Sequence, residues 1–309
     1  MNSKRVNGFF LTTILLHVLI VVLLVVFRYV FTLGIIANFF VSSGIIMVPA
    51  FVFLVLSGDD WREVLGFHKI KWSTAGMIVV FTFLTMPLTT LINAFSMLFV
   101  ENAVIQMSEQ VLELPFLAAF FFIAVSAPVC EELVFRGVVY RGYRKSGTLL
   151  QAAVFSALLF AIGHMNFNQA AYAFVIGIIL VLLVEATGSI WASVIYHIVF
   201  NGHSVCMMYL AENLFPEAME MEQMLEGQEY IDSMIYSMSM AFFSAAIGTA
   251  IAICVFVWIA KNENRLTRIK QIWTTRHDKK EKMITLPLII AVIVAVGCMI
   301  ADVILYKMM

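Results

Sequence analysis

The alternation of apolar and polar residues divides the chain into long hydrophobic stretches joined by short polar segments. A helix that crosses a bilayer needs about 20 mostly apolar residues. Stretches of that kind lie at roughly 8–27, 39–57, 73–100, 116–135, 148–165, 169–186, 188–211, 233–260 and 284–305. The pattern therefore predicts an all-α, polytopic membrane helix bundle of about nine transmembrane helices, with eight possible because the fifth and sixth stretches are short.

The composition supports a membrane protein. Of the 309 residues, 62% are hydrophobic and 13% are charged, whereas soluble domains carry about 25% charged residues. The first stretch follows two basic residues but has no small-residue cleavage site, so it is predicted to be an uncleaved span. With no internal repeat and no linker, residues 1–309 are interpreted as a single membrane domain.

The distribution of basic residues predicts the orientation, because cytoplasmic loops of membrane proteins are enriched in Lys and Arg. If the N-terminus is cytoplasmic and the spans alternate, all of the 19 basic residues except Arg28 and Lys307 fall on the inner side. The outer loops at 101–115 and 212–232 then hold acids and no base. The sequence thus predicts a multi-pass integral protein, in the plasma membrane if the host is bacterial.

Ionisable residues inside the spans are the candidates for function, because such residues are costly in lipid. Glu131 lies in the fourth span, and if the chain turns near Gly147, His164 in the fifth span lies within one helical turn of the same depth. His197 and Asn201 follow the start of the seventh span by nine and thirteen residues. The sequence therefore predicts that three helices bring polar groups to one site.

The two adjacent glutamates in "CEELVFRG" are predicted to have different roles. Glu132 and Arg136 are spaced i,i+4 with the acid first, which favours an ion pair on the helix surface. That leaves Glu131 as the carboxylate free to face a site. Pro128 lacks a backbone N–H and is expected to bend the helix nearby.

Three short motifs resemble those of the CAAX-prenyl endoprotease and bacteriocin-processing (CPBP, Abi) family of intramembrane proteases. They read "EELVFR" at 131–136, "FAIGH" at 160–164 and "HIVFN" at 197–201. Together, in order and inside spans, they are more specific than any one alone. The resemblance covers about 115–205, the predicted catalytic core. Residues 212–309 form a two-span extension of unknown role.

The resemblance implies an intramembrane endopeptidase whose site is reached from the cytoplasm. Glu131 and His164 would hold and activate a water, and His197 and Asn201 would stabilise the oxyanion. Glu132, Arg136 and Phe160 would be supporting residues. The substrate would be a membrane-associated peptide or protein, leader-bearing or lipidated, as in CAAX processing or in bacteriocin or signal-peptide maturation and self-immunity. Its identity and its prenylation stay open, as does the oligomeric state, and no nucleic acid is expected.

The chemistry leaves a metal as an open alternative. Two histidines and a glutamate are a common zinc set in catalytic sites, so Glu131, His164 and His197 are the ligands to consider. Against this, the sequence has no H-E-x-x-H motif, and the likeness to prenyl endoproteases favours a glutamate-activated water without a tightly bound metal. No cofactor is firmly predicted, although a divalent metal such as zinc is possible.

Two other functions compete with the protease. A catalytically inactive scaffold or immunity protein would keep the same polar network for shape or for protein binding. A small-molecule or ion transporter would use the intramembrane carboxylates, but the sequence lacks the paired broken helices and repeat symmetry of many transporters.

Overall fold

The computed structural model describes residues 2–30, 33–100, 103–215, 227–272 and 282–308. Within these ranges the chain forms helices and no strand. The helices are α1 (Ser3–Val26), α2 (Ile35–Ser57), α3 (Trp61–Leu65), α4 (Trp72–Ser96), α5 (Ala103–Leu112), α6 (Phe116–Ser146), α7 (Leu149–Gly163), α8 (Phe167–Thr187), α9 (Ile190–Leu214), α10 (Gly227–Asn262), α11 (Leu266–Lys270) and α12 (Leu286–Met308).

The helices confirm a polytopic all-α membrane bundle. Eight in the described ranges are long and apolar enough to cross a membrane, namely α1, α2, α4, α6, α8, α9, α10 and α12. The fifth predicted stretch, 148–165, corresponds to α7, which is apolar but has only 15 residues. The cytoplasmic position of the N-terminus stays a prediction.

A sharp hairpin joins α6 to α7, close to the position that the sequence indicated. Helix α6 ends at Ser146, and Thr148 caps α7 by accepting a hydrogen bond from the backbone N–H of Gln151 at 3.1 Å. In turn, Oε1 of the Gln151 side chain accepts a hydrogen bond from the backbone N–H of Thr148 at 3.0 Å. This reciprocal capping box satisfies backbone donors that the first turn of a helix leaves unpaired, so it fixes where α7 begins.

Helices α7 and α8 pack closely because small residues face each other. A Cβ atom added at Gly177 of α8 would lie 2.8 Å from the Cβ atom of Ala157 in α7. At the turn between them, the buried Asn168 donates hydrogen bonds to Asn93 Oδ1 at 2.9 Å and to Ser96 Oγ at 2.7 Å. The end of α4 therefore anchors the turn that follows His164.

The C-terminal extension packs into the same bundle. Helix α10 lies along α4, and α12 packs against α1. Asn7, fully buried in α1, donates to the backbone carbonyl of Met283 at 2.8 Å and to Thr285 Oγ1 at 2.9 Å. The hydroxyl of Tyr143 in α6 donates to Asn7 Oδ1. Through Asn7, the extension is connected to the helix that carries the paired glutamates.

Candidate active site

Helix α6 is irregular on both sides of the glutamates. Its segments Phe120–Ser126 and Leu133–Val139 are π-helical, and the α-helical turn between them, Ala127–Glu132, carries Glu131. The N–H of Ala127 donates to the carbonyl of Phe122, five residues back, as expected for a π turn. Such turns occur frequently at functional sites. This π turn lies just before Pro128, and the bend expected at Pro128 stays a prediction.

Glu132 and Arg136 form the ion pair that the i,i+4 spacing predicted. Oε1 of Glu132 lies 3.0 Å from Nη1 of Arg136, and both side chains are buried. The guanidinium of Arg136 lies over the ring of Phe160, 4.2 Å from its centroid. An aromatic face stabilises a desolvated cation, so Phe160 supports this pair from α7.

Glu132 has a second partner that the sequence did not indicate. Its Oε1 atom lies 2.9 Å from Nδ1 of His197 in α9, and the Ser193 hydroxyl interacts with the same carboxylate. The signal for Ser193 was its position four residues before His197, which places both on one face of α9. Glu132 thus orients the imidazole of His197 as well as neutralising Arg136.

Glu131 turns in another direction, as the sequence predicted. Its side chain is 23% exposed, and its Oε2 atom lies 3.8 Å from Nε2 of His197. Glu131 also lines a cavity, and His164, His197 and Asn201 line the same cavity. The structure therefore brings together the four residues predicted for catalysis, and Glu131 is the carboxylate beside the open space.

His164 is fixed at the end of α7 by its own helix. Its Nδ1 atom lies 2.7 Å from the carbonyl oxygen of Phe160. A carbonyl can only accept, so this bond assigns the proton to Nδ1 and leaves Nε2 as an acceptor. The ring of Phe160 meets both imidazoles edge to face, with its centroid 4.7 Å from His164 and 5.9 Å from His197. Phe160 thus packs between the two histidines.

The cavity has a volume of about 280 Å³ and has mostly apolar walls. Further polar side chains in the lining are Ser204 of α9 and, from the first turns of α8, Gln169 and Tyr172, which interact with each other. Sequence reasoning missed all three, although Gln169 and Tyr172 follow the second motif closely. The apolar lining includes Phe39, Val111, Ile123, Ile176, Phe200, Val205 and Met208.

The metal set that the sequence suggested is Glu131, His164 and His197. Among the residues that the structure describes, no three His, Cys, Asp or Glu side chains are grouped so that they could hold a metal ion. Nδ1 of His164 contacts the Phe160 carbonyl and Nδ1 of His197 contacts Glu132, which leaves the Nε2 atom of each ring towards the cavity for a water, a substrate or an ion.

A second, larger cleft of about 970 Å³ lies at the other ends of the helices and is lined by charged residues. Glu185 in this cleft is only 4% exposed and accepts a hydrogen bond from the Tyr140 hydroxyl. Glu185 thus lies at the end of α8, beside the cleft, and is buried against the end of α6. Buried residues 134–140 of α6 separate this cleft from the cavity beside Glu131.

The fold and the cavity together define a polytopic helical membrane protein with an acid, two imidazoles and an amide around one internal space. Residues 113–203 match the family model described as "Type II CAAX prenyl endopeptidase Rce1-like". The match confirms the family resemblance over the region that contains all three motifs. At the level of the family, it supports an intramembrane endopeptidase. No curated protein and no solved structure matches the chain.

Proposed function

We propose that this protein is an intramembrane endopeptidase that hydrolyses a peptide bond with a water activated by Glu131. The proposal rests on the different surroundings of the two adjacent glutamates. Glu132 is buried and bound to Arg136 and His197, whereas Glu131 faces the cavity within 3.8 Å of His197. A carboxylate that is not held by an arginine and lies next to open space can accept a proton from water.

The first step is the attack of water on the substrate carbonyl. His164 offers its Nε2 lone pair to one hydrogen of the water, and Glu131 accepts the other as the oxygen attacks. The proton held by Glu131 then passes to the nitrogen of the leaving amine. Positioned general acid–base groups of this kind typically contribute about 10²–10⁴-fold in rate.

The tetrahedral intermediate requires donors for its oxyanion. In its protonated form, His197 donates Nδ1–H to Glu132 and Nε2–H to the oxyanion, and the buried carboxylate balances the charge of the ring. One amide hydrogen of Asn201 is bonded to the carbonyl of Ile123 at 3.1 Å, so the other is available as a second donor. A single such donor is worth about 2.7–4 kcal/mol in a dry site.

The walls of the cavity favour an apolar or lipid-associated substrate. Most of the residues that line it are aliphatic or aromatic. An apolar lining fits a membrane-associated peptide or protein as substrate, such as a lipidated CAAX-type protein or a leader-bearing precursor. In a bacterium, a bacteriocin or signalling-peptide precursor is the substrate that we propose.

The cavity lies towards the ends of the helices that the basic residues predict to be outside. Its lining comes from the start of α2, the end of α5, the first half of α6, the end of α7, the start of α8 and the stretch 197–208 of α9. The charged cleft is at the opposite ends. With a cytoplasmic N-terminus, access from the outer side or from within the bilayer is thus better supported than the expected access from the cytoplasm.

The proposal is tested by comparing membrane peptides from cells that express the wild-type protein or Glu131→Gln. Mass spectrometry should find peptide ends that form only with the wild type. A matched control is Glu212→Gln, which makes the same change at an exposed position of α9 and should cleave normally. With the substrate in hand, purified Glu131→Gln should lose cleavage by at least 10²-fold, in line with the contribution of a general base.

Full cleavage by purified Glu131→Gln would refute the assignment. If no peptide differs between the two cell lines while a cellular phenotype is kept by Glu131→Gln, the inactive scaffold is the correct reading.

A further inference from the structure

The carbonyl of Ile123 lies where the backbone of α6 cannot supply its usual donor. In the π segment Phe120–Ser126 hydrogen bonds run five residues back, as from Ala127 N–H to the Phe122 carbonyl. By the same spacing, the Ile123 carbonyl would accept from residue 128. That residue is Pro128, which has no N–H.

A side chain from another helix supplies the missing hydrogen-bond donor. Nδ2 of Asn201 in α9 donates to the Ile123 carbonyl at 3.1 Å. Inside a membrane, water is scarce and each unpaired backbone group is costly. A donor at this position therefore stabilises the π turn that immediately precedes the turn with Glu131.

In the second π segment, Leu133–Val139, a backbone carbonyl also accepts a hydrogen bond from a side chain, here one of α7. The Phe135 carbonyl, which accepts from Tyr140 N–H, also accepts from the Ser156 hydroxyl of α7 at 3.1 Å. Ser156 lies eight residues before His164, and Asn201 lies four residues after His197. Each helix that contributes a histidine thus also contributes a polar side chain that binds an irregular carbonyl of α6.

We propose that Asn201 and Pro128 are a coupled pair, in which the Asn201 amide replaces the donor that Pro128 lacks and so holds the turn with Glu131 against α9. In this respect Asn201 is a positioning residue, because the bond sets the distance between Glu131 and His197. Its importance for cleavage rests on the proposed function. The coupling itself concerns folding and stands without it.

A double-mutant cycle read by thermal unfolding of the purified protein in detergent tests the pair. It compares the wild type, Asn201→Leu, Pro128→Ala and the double variant. Asn201→Leu should lower Tm by roughly 2–4 °C, the shift that loss of one hydrogen bond produces in a protein of this size. In the Pro128→Ala background the same change should have little effect, because residue 128 then has an N–H that can serve the carbonyl.

Asn213→Leu is the matched control. Asn213 is an exposed asparagine of the same helix, and its amide donates to the Tyr209 carbonyl of its own helix, so its loss should leave Tm unchanged. If Asn201→Leu does not accumulate, Asn201→Ala removes the donor without adding bulk or charge, and the cycle is run with it. Equal Tm losses in both backgrounds, or no loss on changing Asn201, would overturn the proposal. Neither result depends on whether Glu131→Gln still cleaves.

Discussion

The Nδ1 atom of His197 lies 2.9 Å from Oε1 of Glu132, a carboxylate that is fully buried in the bundle. The same oxygen is 3.0 Å from the Arg136 guanidinium. One carboxylate therefore joins a cation of its own helix to an imidazole of another. This explains why two glutamates stand side by side, since the first faces the cavity and the second holds the site together.

Replacing Glu132 should destabilise the protein much more than replacing Glu131. Glu132→Gln leaves the buried Arg136 without its counter-ion, and breaking such a pair typically costs about 3–5 kcal/mol. Glu131→Gln keeps the shape of a side chain that faces open space, so a change below about 1 kcal/mol is expected. Chemical unfolding of both variants in the same detergent gives the comparison, and equal stability would contradict the roles assigned to the two acids.

Arg136→Met should lower stability by a similar amount, about 3–5 kcal/mol, because Glu132 would lose its buried partner. The control is Lys145→Met, which breaks the ion pair with Asp59 at 3.3 Å. The Lys145 side chain is 45% exposed, and exposed pairs contribute about 0–1 kcal/mol. Unfolding curves that show the two variants equally stable would mean that the pair in α6 is not a structural requirement.

The sequence was sufficient to predict which side chains meet, because motif spacing and span boundaries set depth along each helix. It did not predict the bond between Glu132 and His197. That contact depends on how α6 and α9 are rotated about their axes, and the π turns of α6 insert extra residues that a regular helical period cannot anticipate. Ser156 and Ser193 were accessible in principle, since each lies four residues before a motif residue on the same helix face.

The packing of the C-terminal extension could not be predicted from the sequence either, for a different reason. Its helices carry no motif, and an apolar face in a membrane protein can meet either lipid or another helix. Small residues decide some of these contacts. At Gly248 of α10, an added Cβ atom would lie 2.5 Å from the carbonyl oxygen of Leu84, so α10 approaches the backbone of α4 closely.

Close packing of α7 on α8 predicts that Gly177→Ala is harmful. The new methyl group would meet Ala157 at 2.8 Å, and overpacking of this kind typically costs about 1–3 kcal/mol. Gly76→Ala in α4 is the control, because no heavy atom lies within 4 Å of its added Cβ atom. Thermal unfolding should show a lower Tm only for the first variant, and a tolerated Gly177→Ala would indicate a looser contact between these helices.

Asn7→Leu should weaken the attachment of the extension. The change leaves the Met283 carbonyl and the Tyr143 hydroxyl without their partner at a buried position, and each unsatisfied buried group costs about 1–3 kcal/mol. Asn38→Leu, at an exposed position of α2, is the control. Limited proteolysis should cut between α10 and α12 faster in Asn7→Leu than in the control; equal rates would show that Asn7 does not secure this region.

The position of the cavity predicts which side of the membrane reaches the site. Ser204 is an exposed residue of the cavity wall, and Lys69 is exposed in the predicted inner loop. In a background whose four cysteines are replaced by Ala, Ser204→Cys should react with a membrane-impermeant maleimide in right-side-out vesicles, since its half of α9 is predicted to face outwards. Lys69→Cys should react only in inside-out vesicles. If both positions were labelled only in inside-out vesicles, the site would be reached from the cytoplasm, and the proposed access from the outer side would be wrong.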